Sequence, residues 1–182
     1  MTGERRRRAV FLDRDGTLIE DVGYPRDPAT VVVLDGALST SRELSRRGFT
    51  LVVVSNQSGI ARGLVTSSEA AAVHERFVSL FAAGGVAFGA VAYCPHGPTD
   101  GCNCRKPAPG MLLDIAARLE LDLEGSFMVG DKASDMEAGR RAGCQTILIA
   151  TMRGPDRAAQ GTDGVASNWS AVGTLIRDAT PA

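Results

Sequence analysis

Ala9-Val10-Phe11-Leu12-Asp13-Arg14-Asp15-Gly16-Thr17 is an apolar run that stops abruptly at two carboxylates. The run reads as a short buried strand. Side chains alternate along an extended chain, so Asp13 and Asp15 are expected to project the same way while Arg14 points elsewhere. Gly16 lets the backbone turn sharply beside them. Two carboxylates that close repel, and one is pushed to protonate unless a cation sits between them. An oxygen-rich pair of this kind suits Mg²⁺. Asp-x-Asp alone also describes an ordinary acidic turn after a strand. What distinguishes this chain is that three later strand ends repeat the pattern of polar residues placed directly after an apolar run.

Leu51-Val52-Val53-Val54 is continuous and β-branched, as in a strand buried on both faces, and it ends in the loop Ser55-Asn56-Gln57-Ser58-Gly59. Residues 86–93 give the next strand, leading through Cys94-Pro95-His96 into a Pro/Gly-rich loop that reaches Lys106. Phe127-Met128-Val129 ends in Gly130-Asp131-Lys132, and residues 146–149 form a further strand. Helices are expected between them. One covers residues 37–47 and stops at Gly48; another opens at the capping box Thr66-Ser67-Ser68-Glu69 and carries Val73, Phe77, Leu80 and Phe81 on one stripe. A third begins at Pro109, with Met111, Leu112, Ile115, Ala116 and Leu119 on its buried face. A fourth spans residues 135–142, and a last one carries Trp169, Val172, Leu175 and Ile176. Residues 21–28 are rich in turn formers and should lie as a loop over the first strand's end. Strands alternating with helices predict a parallel α/β sheet with helices on both faces. In such sheets ligands bind beyond the carboxyl ends of the strands. That rule gathers Asp13, Asp15, Ser55, Asn56, Lys106 and Asp131 at one edge.

The 182 residues, 44% hydrophobic and 23% charged with a net charge of −1, are those of an ordinary globular chain. A single domain over residues 1–182 is expected, with residues 1–8 a solvated basic tail. The charge gives no reason to expect nucleic acid or a membrane surface as a partner. The apolar stretch after Arg5–Arg8 is too short for a signal-peptide core, and no run approaches a membrane span. Cytoplasmic thiols are therefore expected rather than disulfides. The chain is expected to act as a monomer on a small molecule.

A phosphate monoester would find its needs met at that edge. Mg²⁺, Lys106, the Ser55 hydroxyl and backbone N–H groups can stabilise its oxygens. One carboxylate can attack phosphorus in line, and a second can protonate the leaving alkoxide and then activate water. Asp13 and Asp15 can divide those tasks, and Asp131 would complete the metal site. Cys94-x-His96 and Cys102-x-Cys104 supply three thiols and an imidazole within eleven residues. On spacing alone two readings stay open: a closed tetrahedral zinc site, or reduced surface cysteines beside an unrelated histidine. Cys144 reads as core, His74 as a helix residue without a partner, and Arg62 and Arg153 as surface charges.

In order, spacing and strand placement, Asp13-x-Asp15-Gly16-Thr17, Ser55, Lys106 and Gly130-Asp131-Lys132-x-x-Asp135 resemble the four motifs of the haloacid dehalogenase (HAD) superfamily of phosphatases. Ser55-Asn56-Gln57-Ser58-Gly59-Ile60-Ala61-Arg62-Gly63, Cys94-Pro95-His96 and Cys102-x-Cys104-Arg105-Lys106-Pro107 resemble, more narrowly, the branch of heptose-bisphosphate and histidinol-phosphate phosphatases. The resemblance covers roughly residues 9–150 and implies a three-layer Rossmann-like (HAD-like) fold. It also implies Asp13 as nucleophile and Asp15 as general acid/base. Mg²⁺ would be held by Asp13, Asp131 and the backbone carbonyl of Asp15. Ser55 and Lys106 would hold the phosphoryl group. Asp21, Gly23, Tyr24, Asn56, Gln57, Ser58, Arg105 and Lys132 would contact the rest of a sugar phosphate. Structural zinc on Cys94, His96, Cys102 and Cys104, in a loop over residues 94–106, follows from the same resemblance. Ser55 stands where close relatives more often carry threonine, and residues 17–51 leave no room for an inserted cap domain. The competing expectation outside catalysis is a zinc-stabilised binding module that has lost activity. For Asp135, capping the following helix and orienting Lys106 or Lys132 stay open.

Overall fold

Six parallel strands lie in the order β3-β2-β1-β4-β5-β6. They are β1 Arg7–Leu12, β2 Thr50–Asn56, β3 Ala90–Cys94, β4 Leu121–Gly130, β5 Gln145–Ile149 and β6 Gly164–Ala166. The computed structural model describes residues 6–150 and 161–180, so Arg153 and residues 1–5 of the basic tail lie outside the described residues. Helices α1 (Ala37–Arg46), α2 (Ser67–Ala83), α3 (Gly110–Leu119), α4 (Ala133–Ala142) and α5 (Trp169–Ala179) connect or follow the strands. A short 3₁₀ turn covers Pro28–Thr30. No helix among the described residues is long and apolar enough to cross a membrane.

The period of two along each strand builds the layers. Val10 and Leu12 of β1 join Val53, Phe127 and Val129 in one cluster, covered by Leu44 of α1, Phe77 and Phe81 of α2, and Trp169 and Ile176 of α5. Ala9 and Phe11 point the other way. They meet Val52, Val54 and Met128 under Leu112 and Ile115 of α3 and Ala138 of α4. Both faces are buried, so the strands read as unbroken apolar runs rather than alternating ones. The chain leaves β1 toward β2 and β3, then returns to place β4 on the other side of β1. That reversal opens a crevice beyond the carboxyl end of β1.

Several boundaries differ from the sequence reading, each for a local reason. Arg7 and Arg8 belong to β1, not to a tail, because Leu121 and Asp122 extend β4 to pair with them. Beyond Arg8 the register shifts, and Ser126 mends the break: its Oγ accepts the N–H of Ala9 at 2.8 Å and donates to the carbonyl of Asp122. Leu121-Asp122-Leu123-Glu124 does alternate, but Gly125, Ser126 and the register shift separate this short run from the apolar Phe127–Val129. Ser55 and Asn56 are the last residues of β2, paired with Tyr93 and Cys94, rather than the start of a loop. β3 begins at Ala90, not at residue 86. Helix α4 begins at Ala133, since Asp135 accepts the N–H of Lys132 from inside the first turn. β6 has only three residues, too few for a period to show.

Trp169 ties the last helix to the centre. Its buried indole N–H donates to the carbonyl of Thr17 at 2.8 Å, so α5 braces the turn that follows the two aspartates.

Candidate active site

Four segments meet beyond the carboxyl edge: the turn after β1, the end of β2, the loop before α3 and the turn between β4 and α4. Lys106 stands at their centre, 3% exposed. Its ammonium donates to Asp13 Oδ1 at 2.6 Å and to the carbonyl of Val54 at 2.7 Å, and pairs with Asp135 Oδ1 at 2.7 Å. Burial works against its charge, but the carboxylates of Asp13 and Asp135 together outweigh it and raise the lysine above its ordinary range. Lys106 is placed by Asn56, whose amide takes both backbone groups of that residue: Nδ2 donates to its carbonyl at 2.9 Å and Oδ1 accepts its N–H at 3.0 Å.

Asp135 serves two ends at once, pairing with Lys106 through Oδ1 and accepting the Lys132 N–H through Oδ2 at 3.0 Å. Gly16 adopts φ +85°, and a Cβ there would lie 2.4 Å from Asp131 Oδ2, so the turn admits Asp131 only because residue 16 has no side chain. Lys132 reaches the carbonyl of Asp15 and Asp21 Oδ2, each at 3.3 Å, and Asp131 Oδ1 at 3.6 Å.

Three expectations are corrected here. Arg14 does not point away from the carboxylates. Its guanidinium forks onto Asp15, Nε to Oδ1 at 3.1 Å and Nη2 to Oδ2 at 2.9 Å. Gln57 turns its amide to Asp15 Oδ2 at 2.7 Å and Ser55 Oγ at 2.9 Å instead of facing the cleft. Burial, opposed by Arg14, raises the Asp15 carboxyl above its usual range. His74 also has a partner, its Nδ1 lying 2.6 Å from the hydroxyl of Tyr93.

The cavities follow from this placement. Asp13, Asp15, Ser55, Asn56, Lys106, Lys132, Ser134 and Asp135 line an inner niche of about 40 Å³. An outer cleft of about 720 Å³ is lined by Asp15, Asp21, Gly23, Tyr24, Asn56, Ser58, Arg105, Lys106 and Lys132, among others. Ser134 and Arg141 of α4 also line it; no local pattern marks either, and Ser134 lies before the expected start of that helix at residue 135. Arg105 donates to the carbonyl of His96 at 3.2 Å. Arg62 donates to the hydroxyl of Tyr24 at 3.0 Å, a contact no local pattern announces.

Among the described residues two donor sets could hold a metal ion. Asp13, Asp131 and Asp135 bring carboxylate oxygens within 4.8 Å of one another. Both oxygens of Asp135 are occupied by Lys106 and by the Lys132 N–H, which leaves Asp13 and Asp131 as the acidic pair. Burial, then the charge of Asp13, pushes the Asp131 carboxyl up to about 7. A divalent cation on oxygen ligands relieves that repulsion. The second set is Cys94, His96, Cys102 and Cys104. Cys94 Sγ lies 3.6 Å from Cys102 Sγ and 3.2 Å from Cys104 Sγ, and His96 Nδ1 lies 3.2 Å from Cys104 Sγ. A tetrahedron with metal–sulfur bonds of about 2.3 Å has edges of roughly 3.8 Å, so little movement closes this set around a metal ion.

A HAD-hydrolase-like family model matches residues 103–169. The D-glycero-β-D-manno-heptose-1,7-bisphosphate 7-phosphatase of Bordetella bronchiseptica is 40% identical over 153 residues, covering 84% of this chain and 86% of that protein. The enzyme of the same name from Escherichia coli K12 is 42% identical over 151 residues, covering 79% of each. The crystal structure of D,D-heptose 1,7-bisphosphate phosphatase from B. bronchiseptica, complexed with magnesium and phosphate, superposes with a TM-score of 0.84 at 35% identity. It covers 95% of this chain and 99% of that one. A HAD-like phosphatase from Mesorhizobium loti gives 0.80 at 39% identity, over 96% and 86%.

Protonated Asp131 cannot serve as a ligand. Mg²⁺ affinity should therefore fall as pH drops through 7, by about tenfold per unit where one proton competes. Calorimetric titration with Mg²⁺ between pH 5.5 and 8, in buffers of different ionisation enthalpy, should show proton release on the acid side only.

Proposed function

The chain belongs to the D-glycero-β-D-manno-heptose-1,7-bisphosphate 7-phosphatase family of the HAD superfamily, and from that premise we propose how its residues hydrolyse the substrate. It is a phosphoric monoester hydrolase, and the ester it cleaves is the 7-phosphate of the heptose bisphosphate. The observation that carries the residue assignment is the inner niche, where Asp13, Asp15, Ser55 and Lys106 converge from three separate segments.

Asp13 is the nucleophile. Lys106 fixes its carboxylate through Oδ1, and attack on phosphorus gives an aspartyl-phosphate. Asp15 gives a proton to the departing sugar oxygen and then takes one from the water that cleaves the acyl phosphate. Ser55 and the N-terminal N–H groups of α4 donate to the phosphoryl oxygens, and Lys106, whose three N–H groups already meet Asp13, Val54 and Asp135, adds its charge beside them. Around the niche the carboxyl groups of Asp13, Asp15, Asp131 and Asp135 offset the cations Arg14, Lys106 and Lys132, so the side chains alone offer a phosphate dianion no net positive charge. Mg²⁺ on Asp13, Asp131 and the Asp15 carbonyl would supply that positive charge. The outer cleft takes the sugar, with Asp21, Gly23, Tyr24, Asn56, Ser58, Arg105 and Lys132 along it. The fork of Arg105 suits a second phosphate. A cationic wall also favours a bisphosphate over histidinol phosphate, which carries an amine. Every residue in this scheme comes from one chain, so a monomer suffices. A phosphorylated substrate and free thiols fit the cytoplasm.

Zinc on Cys94, His96, Cys102 and Cys104 is structural in this reading, since four protein ligands leave no open position. It holds the loop that carries Arg105 and Lys106. One equivalent of zinc should copurify. Cys102→Ser should lose it and raise KM for the bisphosphate, while elemental analysis of a folded, active, zinc-free protein would contradict this.

The function itself is tested by phosphate release from heptose 1,7-bisphosphate, histidinol phosphate and 4-nitrophenyl phosphate, each with and without Mg²⁺. The expected result is Mg²⁺-dependent turnover with kcat/KM highest for the bisphosphate. Preference for histidinol phosphate would move the chain to the neighbouring branch, and no turnover at all would favour a binding module.

A further inference from the structure

Arg14 sits between the two aspartates yet is 2% exposed, an unusual place for a guanidinium unless it is paired. Its charge faces the Asp15 carboxylate, with Tyr93 as its other polar neighbour. Both oxygens of Asp15 receive its fork, and Asp15 Oδ2 takes a second donor from Gln57. The guanidinium is backed by the ring of Tyr93, whose centroid lies 5.3 Å from Cζ. Tyr93 is itself fixed. It stands opposite Ser55 in the β2–β3 register, its hydroxyl meets His74 Nδ1 at 2.6 Å, and the two rings pack edge to face at 5.1 Å.

A carboxylate oxygen has two lone pairs. Asp15 Oδ2 has both engaged, by Arg14 and Gln57, whereas Oδ1 receives only Arg14 Nε. The oxygen left with room for a proton is therefore Oδ1.

We propose that Arg14, backed by Tyr93 and His74, is a positioning residue for proton transfer that holds Asp15 with Oδ1 as its proton-carrying oxygen. The inference rests on Asp15 being the general acid/base. In the first half-reaction the phosphorus–ester bond breaks, its electron pair goes to the sugar oxygen, and the Oδ1–H proton follows it. In the second, water loses a proton to Oδ1 as its oxygen attacks phosphorus and the Asp13 carboxylate leaves. Atoms and charge balance over the cycle, with no co-reactant beyond water. Arg14 enters neither bond change; it fixes the direction in which Oδ1 presents its proton. Lysine cannot replace it, because a single ammonium cannot fork onto both oxygens.

The test compares leaving groups. Phosphoryl transfer in the first turnover is followed by rapid quench with heptose 1,7-bisphosphate, whose alkoxide needs a proton, and with 4-nitrophenyl phosphate, whose phenolate does not. Enzymes are wild type, Arg14→Gln, Arg14→Lys, Asp15→Asn and Arg14→Gln combined with Asp15→Asn, all with Mg²⁺. General acids contribute about 10²–10⁴-fold. Arg14→Gln is expected to slow the sugar substrate about 10²-fold and the aryl substrate at least ~10-fold less. In the Asp15→Asn background it should add under about twofold. Arg14→Lys keeps the charge and should show the same selective loss. If Arg14→Gln does not fold, the lysine variant makes the comparison alone. Equal losses on both substrates, or an undiminished effect of Arg14→Gln in the Asp15→Asn background, would overturn the proposal. If Asp15→Asn alone slows both substrates equally, the acid/base assignment fails and the positioning role falls with it; the single Asp15 variant identifies that case.

Discussion

One buried ammonium is shared between two carboxylates, and the rest of the site is arranged around that contact. Lys106 lies 2.6 Å from Asp13 and 2.7 Å from Asp135, with the carbonyl of Val54 as its third acceptor. Without it two buried carboxylates would face each other in a low-dielectric interior. Breaking one partner of a buried pair of this kind typically costs about 3–5 kcal/mol, because the remaining charge cannot be hydrated. The contact also joins three segments far apart in sequence: the turn after β1, the end of β2 and the first turn of α4. Orientation of the Asp13 carboxylate and assembly of the crevice are thus one event.

The surrounding parts can be read as means of delivering that lysine. It lies on a loop, where a long flexible side chain would ordinarily be loosely placed. The Asn56 amide clamps its backbone from one side, and Cys94, His96, Cys102 and Cys104, a set that could hold a metal ion, gather on the other. Cys94 ends β3, directly after Tyr93, so the same strand end carries one member of the Cys/His set and the ring behind Arg14. Trp169 holds the far side of the Asp13–Thr17 turn through the Thr17 carbonyl. Each aspartate therefore has a cation of its own, Lys106 for Asp13 and Arg14 for Asp15. The two carboxyls can then take different roles although only one residue separates them.

Much of this was legible in the sequence, for a physical reason. Strands buried on both faces show as apolar runs, and polar residues at their ends mark the carboxyl edge, so Asp13, Ser55, Lys106 and Asp131 could be gathered before any coordinates. The capping box at Thr66–Glu69 and the stripe of Val73, Phe77 and Phe81 appear as read. What escaped were contacts made across the fold. Alternation along an extended chain turned Arg14 away, but the backbone leaves the extended state after Leu12 and the guanidinium folds back onto Asp15. Gln57 was assigned to the cleft because its motif lies there, yet its amide finds Ser55 and Asp15 first. The partner of His74 is a tyrosine 19 residues away, beyond any local period. The early part of β4 escaped because its alternating run Leu121–Glu124 is short and is cut off from Phe127–Val129 by Gly125, Ser126 and a register shift.

The central claim is that the carboxylate fixed by Lys106, and no other, takes the phosphoryl group. Acid quench of the Asp15→Asn enzyme during reaction with 4-nitrophenyl phosphate, followed by borohydride reduction and peptide mass spectrometry, tests it most directly. An acyl phosphate is reduced to an alcohol, so position 13 should be recovered as homoserine in a large fraction of the chains, with Asp131 and Asp135 unchanged. An unmodified Asp13 in enzyme that has released nitrophenol, or reduction at a different aspartate, would contradict the account.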